Sequence, residues 1–221
     1  MIGVVLFPGS NCEQDAVEAV RTLGGDADLL WHGDDTVGDA DAVIVPGGFA
    51  HGDYLRPGAI ARFSPIMAAV AKFAADGGPV VGICNGFQVL TEAGLLPGAL
   101  QKNAGLKFLC TEVELRVEST DSALTASASK GDVLRVPINH FEGNYTCSPE
   151  TLHQLHAEDR VVLRYVRNPN GSIDDIAGVC NEGRNVVGLM PHPERACHEL
   201  LGSTDGMPLL RSLLAAASAG V

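Results

Sequence analysis

Three short segments hold residue types that could carry covalent chemistry. The first is Gly82-Ile83-Cys84-Asn85-Gly86, placed where the apolar run Val80 to Ile83 ends and helix-like spacing begins. Glycines flanking a nucleophile permit a strained strand-to-helix turn that lifts the side chain above the sheet's carboxyl edge. A cysteine there gains from the helix N-terminus, whose dipole favours thiolate and whose free N–H groups can hold an oxyanion. The second is Met190-Pro191-His192-Pro193-Glu194-Arg195, after the apolar run Val186 to Met190. Pro193 biases His192 towards an extended conformation, so that His192 and Glu194 project to the same side. Thiol catalysis needs a base to take the proton and a carboxylate to hold that base's tautomer. The third is Val45-Pro46-Gly47-Gly48-Phe49, where adjacent glycines leave backbone N–H groups unshielded for an oxyanion.

Each segment alone has a plainer reading. Cys84 can be a buried small hydrophobe, His192 a solvated residue in a proline turn, and Gly47-Gly48 a tight strand-to-helix connection. Their combination outweighs these, because three strand-end loops would all face the carboxyl edge of one sheet, where α/β proteins place their sites.

The elements that must hold them follow from hydrophobic patterning. Short runs at Ile2 to Phe7, Ala27 to Leu30, Ala42 to Val45 and Val80 to Ile83 read as buried strands. Crossover helices are predicted over Glu13 to Leu23, closed by Gly24-Gly25, and over Ile60 to Ala75, closed by Gly77-Gly78-Pro79. The second half has extended runs at Lys107 to Val117, Val133 to Ile138, Val161 to Tyr165, Ile176 to Cys180 and Val186 to Met190, and an amphipathic helix over Pro208 to Ala219. The expected fold is a three-layer α/β sandwich with a mostly parallel central sheet and added antiparallel strands, in one domain over residues 1–221.

Composition narrows the field. The 221 residues carry a net charge of −12 and are 46% hydrophobic, which argues for a folded domain and against nonspecific attraction to nucleic acid or anionic membrane. No apolar stretch approaches the ~20 residues of a membrane helix, and Met1 to Phe7 reads as a strand, not a signal peptide, so a cytoplasmic location is expected. The six cysteines form no C-x-x-C pair; neither disulfides nor a metal site is expected, although Cys197-His198 lies near His192. Pro8-Gly9-Ser10-Asn11 could cradle a phosphate, but it lacks the Gly-Lys-[Ser/Thr] ending of a nucleotide loop, and no such ending occurs elsewhere.

Taken together, these residues resemble the class I glutamine amidotransferases, and within them the glutaminase subunits of phosphoribosylformylglycinamidine synthases. The resemblance spans essentially the whole chain. It is carried by Phe7-Pro8-Gly9-Ser10-Asn11-Cys12, Pro46-Gly47-Gly48-Phe49, Gly52-Asp53-Tyr54-Leu55-Arg56, Gly82 to Leu100, His140 with Glu142, Gly143 and Tyr145, and Pro191 to Arg195. It implies that Cys84 attacks the glutamine amide, that His192 is base and then acid, and that Glu194 orients His192. It also implies an oxyanion hole from the N–H groups of Gly48 and Asn85, with Phe49, Gln88 and His140 as glutamine-binding candidates. The implied activity releases glutamate and passes ammonia to an ATP-dependent synthetase that amidates formylglycinamide ribonucleotide. No cofactor is expected in this chain; ATP and magnesium would bind the large synthetase partner, with a small accessory subunit completing the complex. The chain departs from the family pattern at Ala50-His51 in place of Ser-Tyr, Pro57 in place of Cys, and Phe141 in place of a small residue. These departures bear on the donor loop. Two other readings keep the fold: a relative of the intracellular proteases, which Asn85 after Cys84 counts against, and a flavodoxin-like binding module with an ordinary thiol.

Overall fold

In the computed structural model, which describes residues 1–219, the predicted strands and helices alternate through the first half. Strands β1 (Ile2–Leu6), β2 (Ala27–Trp31), β3 (Ala42–Val45) and β4 (Val80–Ile83) are linked through α1 (Glu13–Thr22) and α2 (Pro65–Ala75), and α3 (Asn85–Glu92) follows β4. The second half adds β5 (Ala99–Gln101), β6 (Leu109–Val117), β7 (Val133–His140), β8 (Asn144–Thr146), α4 (Pro149–Ala157), β9 (Val161–Tyr165), β10 (Ile176–Cys180), β11 (Val186–Leu189) and α5 (Met207–Ala219).

Nine strands share one sheet in the order β2-β1-β3-β4-β11-β10-β9-β6-β7, while β5 and β8 form a separate antiparallel pair. From β2 to β11 all neighbours are parallel. From β11 to β7 all are antiparallel. The sequence accounts for the division. Every residue of β3, β4, β10 and β11 is buried, as expected for strands covered on both faces, whereas β7 and the C-terminal half of β6 alternate buried and open positions. Right-handed crossovers through α1 and α2 lead in opposite directions from the neighbouring strands β1 and β3 and so cover opposite faces. One continuous core runs from Val4 and Ile44 through Ile83 and Phe87 to Leu115, Ile138, Tyr165 and Leu213.

Three features differ from the sequence expectation. The segment Ile60 to Ala75 is not one helix: a 3₁₀ turn at Ala61–Phe63 ends at Ser64, which is extended (φ −62°, ψ 141°), and α2 starts at Pro65. Proline disfavours helical geometry in the residue before it and suits the first helical position, so the break is local chemistry. Helix α4 has no counterpart in the patterning, because only Leu155 is buried and no apolar stripe marks it; its start is nonetheless encoded, with the Ser148 hydroxyl accepting from Thr151 N–H and Pro149 following. The β5–β8 pair is too short for its three-residue strands to show a period.

The outermost strand does not stay at the sheet's margin. β7 lies at the end of the sheet opposite β2, yet its C-terminal end returns to the middle: His192 N–H donates to the Pro137 carbonyl at 2.9 Å.

Candidate active site

Cys84 sits between β4 and α3 with φ 51° and ψ −106°, in the positive-φ half of backbone space that side chains avoid. Its flanking glycines make the turn possible. A Cβ on Gly86 would lie 1.8 Å from the Val45 carbonyl oxygen, and one on Gly82 would lie 2.7 Å from the Gly86 carbonyl. The spacing of glycine, nucleophile and glycine is therefore a packing requirement as well as a conformational one. The Cys84 N–H is tied to the Leu189 carbonyl at 2.8 Å, and its sulfur faces the Asn139 carbonyl at 3.7 Å.

His192 and Glu194 are buried beyond the end of β11, with Nδ1 and Oε1 2.6 Å apart. His192 Nε2 has no hydrogen-bond partner, which leaves it able to exchange a proton. Burial opposes charge on this imidazole. The negative charge of Glu194, with the sulfurs of Cys84 and Cys12 close by, outweighs burial and holds its pKa well above the ordinary value. Cys12 extends the network: its sulfur accepts from Arg195 Nη2 at 3.2 Å, and Arg195 Nε donates to Asp15 at 2.9 Å. Cys12, His192 and Glu194 offer donor atoms within 4.8 Å of one another. Because the imidazole and carboxylate are already bonded and a guanidinium caps the thiol, this is a hydrogen-bonded array; a cation there would have to break the ion pair. Cys197, the other cysteine near His192, instead donates to the Pro193 carbonyl.

The donor loop after β3 is braced by the loop after β1. Asn11 and Cys12 N–H groups both point to the Gly47 carbonyl, at 3.3 and 3.2 Å, while Phe49 and His51 N–H groups donate to Gly9 and Pro8. The N–H groups of Asn11 and Cys12 are thus spent on the donor loop and that of Ser10 on the Phe7 carbonyl, which counts against the phosphate reading. Gly48 has φ 140°, and a Cβ there would lie 2.6 Å from Asn11 nitrogen. Among the described residues, no acceptor is paired with the N–H of Gly48 or of Asn85. His51, one of the departures, has φ 54° and bonds through Nε2 to the Ser64 hydroxyl, so the loop is anchored by a side chain the family pattern lacks.

A cavity of about 190 Å³ is lined by Gly48, Phe49, Asp53, Cys84, Gln88 and His140, and completed by Pro57, Asn139, Phe141 and Glu142. The structure thus brings every binding candidate to the nucleophile, with different degrees of freedom. Phe49 is half-exposed at the rim. Gln88 is buried and engaged at both ends, accepting from Asn85 Nδ2 at 2.9 Å and donating to the Glu142 carbonyl. His140 is buried, bonded at Nδ1 to Asn103 Oδ1 at 3.1 Å and unpartnered at Nε2. Burial and the nearby charge of His192 push its pKa down to about 4. Sequence reasoning missed the role of Asn85's side chain, which accepts from Ala50 N–H and donates to Asp53 and Gln88, joining the donor loop to α3. It also missed Asp53 as a cavity residue. Burial lifts that carboxyl to about 6 against its bond from Asn85, and Glu142 adds to the rise. A larger open groove of about 670 Å³ reaches Glu194 from behind, along α1, but Cys84 does not line it.

Nucleophile, base, orienting carboxylate and two free N–H donors around one small cavity can perform acyl transfer from an amide. Comparison with known proteins agrees. Residues 1–206 match the CobB/CobQ-like glutamine amidotransferase domain family. The chain is 60% identical over 216 residues, 98% of each chain, to phosphoribosylformylglycinamidine synthase subunit PurQ of Rubrobacter xylanophilus. It is 55% identical over 224 residues, 97% of each chain, to the subunit of the same name in Koribacter versatilis. A chain of the PurLQS structure from Thermotoga maritima superposes with a TM-score of 0.89 at 46% identity, covering 97% of both chains.

Proposed function

This chain belongs to the glutamine amidotransferase family, and from that premise we propose that it is the glutaminase subunit of a phosphoribosylformylglycinamidine synthase. It hydrolyses glutamine and supplies ammonia for the conversion of formylglycinamide ribonucleotide to formylglycinamidine ribonucleotide in purine biosynthesis. Residues 1–221 act as one glutaminase domain. The observation that carries the chemistry is the convergence of Cys84, the His192–Glu194 pair and the free N–H groups of Gly48 and Asn85.

The steps follow from that geometry. His192 takes the Cys84 thiol proton, and the sulfur attacks the carboxamide carbon. The oxyanion is received by the N–H groups of Gly48 and Asn85, donors fixed before the charge develops. The C–N bond breaks as His192 returns its proton to the departing ammonia. Water, deprotonated by His192, then attacks the thioester; glutamate leaves and the sulfur regains its proton. Glu194 holds the imidazole so that Nε2 faces this traffic.

ATP and magnesium act on the large synthetase partner, and a small accessory subunit joins the complex. Support comes from the lack of a nucleotide loop in this sequence and from the likeness to a chain of the PurLQS structure. No helix among the described residues is long and apolar enough to cross a membrane, which accords with a cytoplasmic site of action. The test is glutamate release with the synthetase present. Cys84→Ala abolishes it, and a glutamine-analogue electrophile labels Cys84 while sparing the exposed Cys110. Wild-type turnover in Cys84→Ala refutes the assignment.

A further inference from the structure

Asn103 is almost fully buried, in the loop between β5 and β6, and all its hydrogen-bonding capacity is used. Its Nδ2 donates to the carbonyls of Lys107 and His140, at 2.9 and 3.0 Å. Its Oδ1 accepts from Gly143 N–H and meets His140 Nδ1, each at 3.1 Å. Backbone carbonyls only accept and a backbone N–H only donates, so the amide cannot be turned over without losing three bonds. The atom facing His140 Nδ1 is therefore an acceptor, and Nδ1 must carry the hydrogen.

We propose that Asn103 is a positioning residue that locks His140 in the Nδ1-protonated tautomer, so that Nε2 presents a bare lone pair to the substrate as an acceptor. The ring packs directly on Gly143, where a Cβ would lie 2.3–2.6 Å from its atoms, so glycine is what leaves it room in this orientation. Nε2 is buried without a partner, in a ring that lines the cavity with Cys84. The low basicity of His140, set by burial and by His192, keeps Nε2 bare near neutral pH. The other titratable groups around the cavity are Cys84, Asp53 and Glu142, and none of them is a cation. What meets Nε2 must then be a hydrogen-bond donor. This rests on the glutaminase reading, under which the donor is an N–H of glutamine, from the carboxamide or the α-ammonium.

The experiment has two readouts. In the full chain labelled with ¹⁵N-histidine, and with His140 assigned by its loss in His140→Gln, the ring nitrogens report the tautomer without substrate: Nδ1 protonated and Nε2 bare. This measurement stands whether or not any variant at Asn103 folds. In the reconstituted complex, Asn103→Asp keeps both acceptor contacts but favours imidazolium. The glutamine KM should then rise about tenfold at about pH 6 and fall back towards wild type at about pH 8, with kcat changed less. The γ-methyl ester of glutamate, which lacks a carboxamide N–H, identifies the donor. A pH-dependent defect that persists with the ester assigns the α-ammonium; one that disappears assigns the carboxamide. A protonated Nε2 in the wild-type chain, or a KM defect independent of pH, overturns the proposal. Failure of the wild-type complex to release glutamate would instead remove the glutaminase reading and leave the tautomer measurement intact.

Discussion

Replacing Glu194 by Gln changes one atom in a buried pair, which makes its cost calculable from the geometry. Oε1 lies 2.6 Å from His192 Nδ1, and Oε2 is buried without a partner. A glutamine amide has two ways to fit. With its oxygen towards Nδ1, the imidazole keeps its tautomer but the new NH₂ is buried unpaired, costing about 1–3 kcal/mol. With its NH₂ towards Nδ1, the amide is satisfied but Nδ1 must be bare, which puts the ring proton on Nε2 and removes the lone pair that receives the thiol proton. The second arrangement is the one catalysis cannot use. Both also lose the negative charge that holds the His192 pKa well above its ordinary value, so burial then governs and the imidazolium is disfavoured. The expected result is a fall in kcat of about 10⁴-fold, near 5.5 kcal/mol of transition-state stabilisation, with a much smaller change in KM. Glutamate release by the reconstituted complex measures it, alongside thermal unfolding to exclude global damage. A folded Glu194→Gln variant with kcat within about threefold of wild type would show that Glu194 does not control the imidazole.

Two further outcomes are expected from other parts of the site. Asp53→Asn removes a carboxylate whose pKa lies near 6, above its ordinary 3.8, so ionising it costs stability as pH rises through that interval. Solvent screening of this partly exposed carboxyl reduces the effect, so the variant should be more stable than wild type by on the order of 1 kcal/mol above about pH 6, with the gain fading towards pH 4; thermal unfolding against pH shows it, and destabilisation at pH 8 contradicts it. Gly86→Ala places a Cβ 1.8 Å from the Val45 carbonyl oxygen, which must widen to at least 3.0 Å and so shifts α3 from β3 by about 1.2 Å. A loss of about 10²-fold in kcat/KM is expected, with reduced stability from overpacking, and unchanged turnover would show that α3 can move without carrying Cys84 with it.

Much of the fold is legible in the sequence. Buried strands announce themselves because both faces need apolar residues, which is why β3, β4, β9 and β10 fall where expected to the residue. The candidate triad is legible too, since each member sits within a strand-end loop whose glycines or prolines have a local purpose. What escapes is the chemistry of contacts between loops. Asn103 lies 37 residues from His140 and in an unremarkable stretch, so nothing nearby in sequence betrays its four bonds. Cys12 reads as an ordinary small hydrophobe, yet it stands between Arg195 and His192 because α1 begins beside the loop after β11. The phosphate-like loop at Pro8 misleads for the same reason: the N–H groups of Asn11 and Cys12 are committed to Gly47, a partner only the fold supplies.

The return of β7 to the middle of the sheet has a mechanical meaning. Pro137 and Asn139 belong to the strand farthest from β2, yet they touch His192 and Cys84, so the antiparallel half is fastened to the parallel half twice: through the ladder from β11 to β6, and at the site itself. A molecule seated between Cys84 and His140 spans that second fastening. Occupancy then adds RT ln(1 + [L]/Kd) to the free energy needed to peel the two halves apart, and the amides of β6 and β7 should feel it as slower hydrogen exchange, at the opposite end of the sheet from the strands that open the chain.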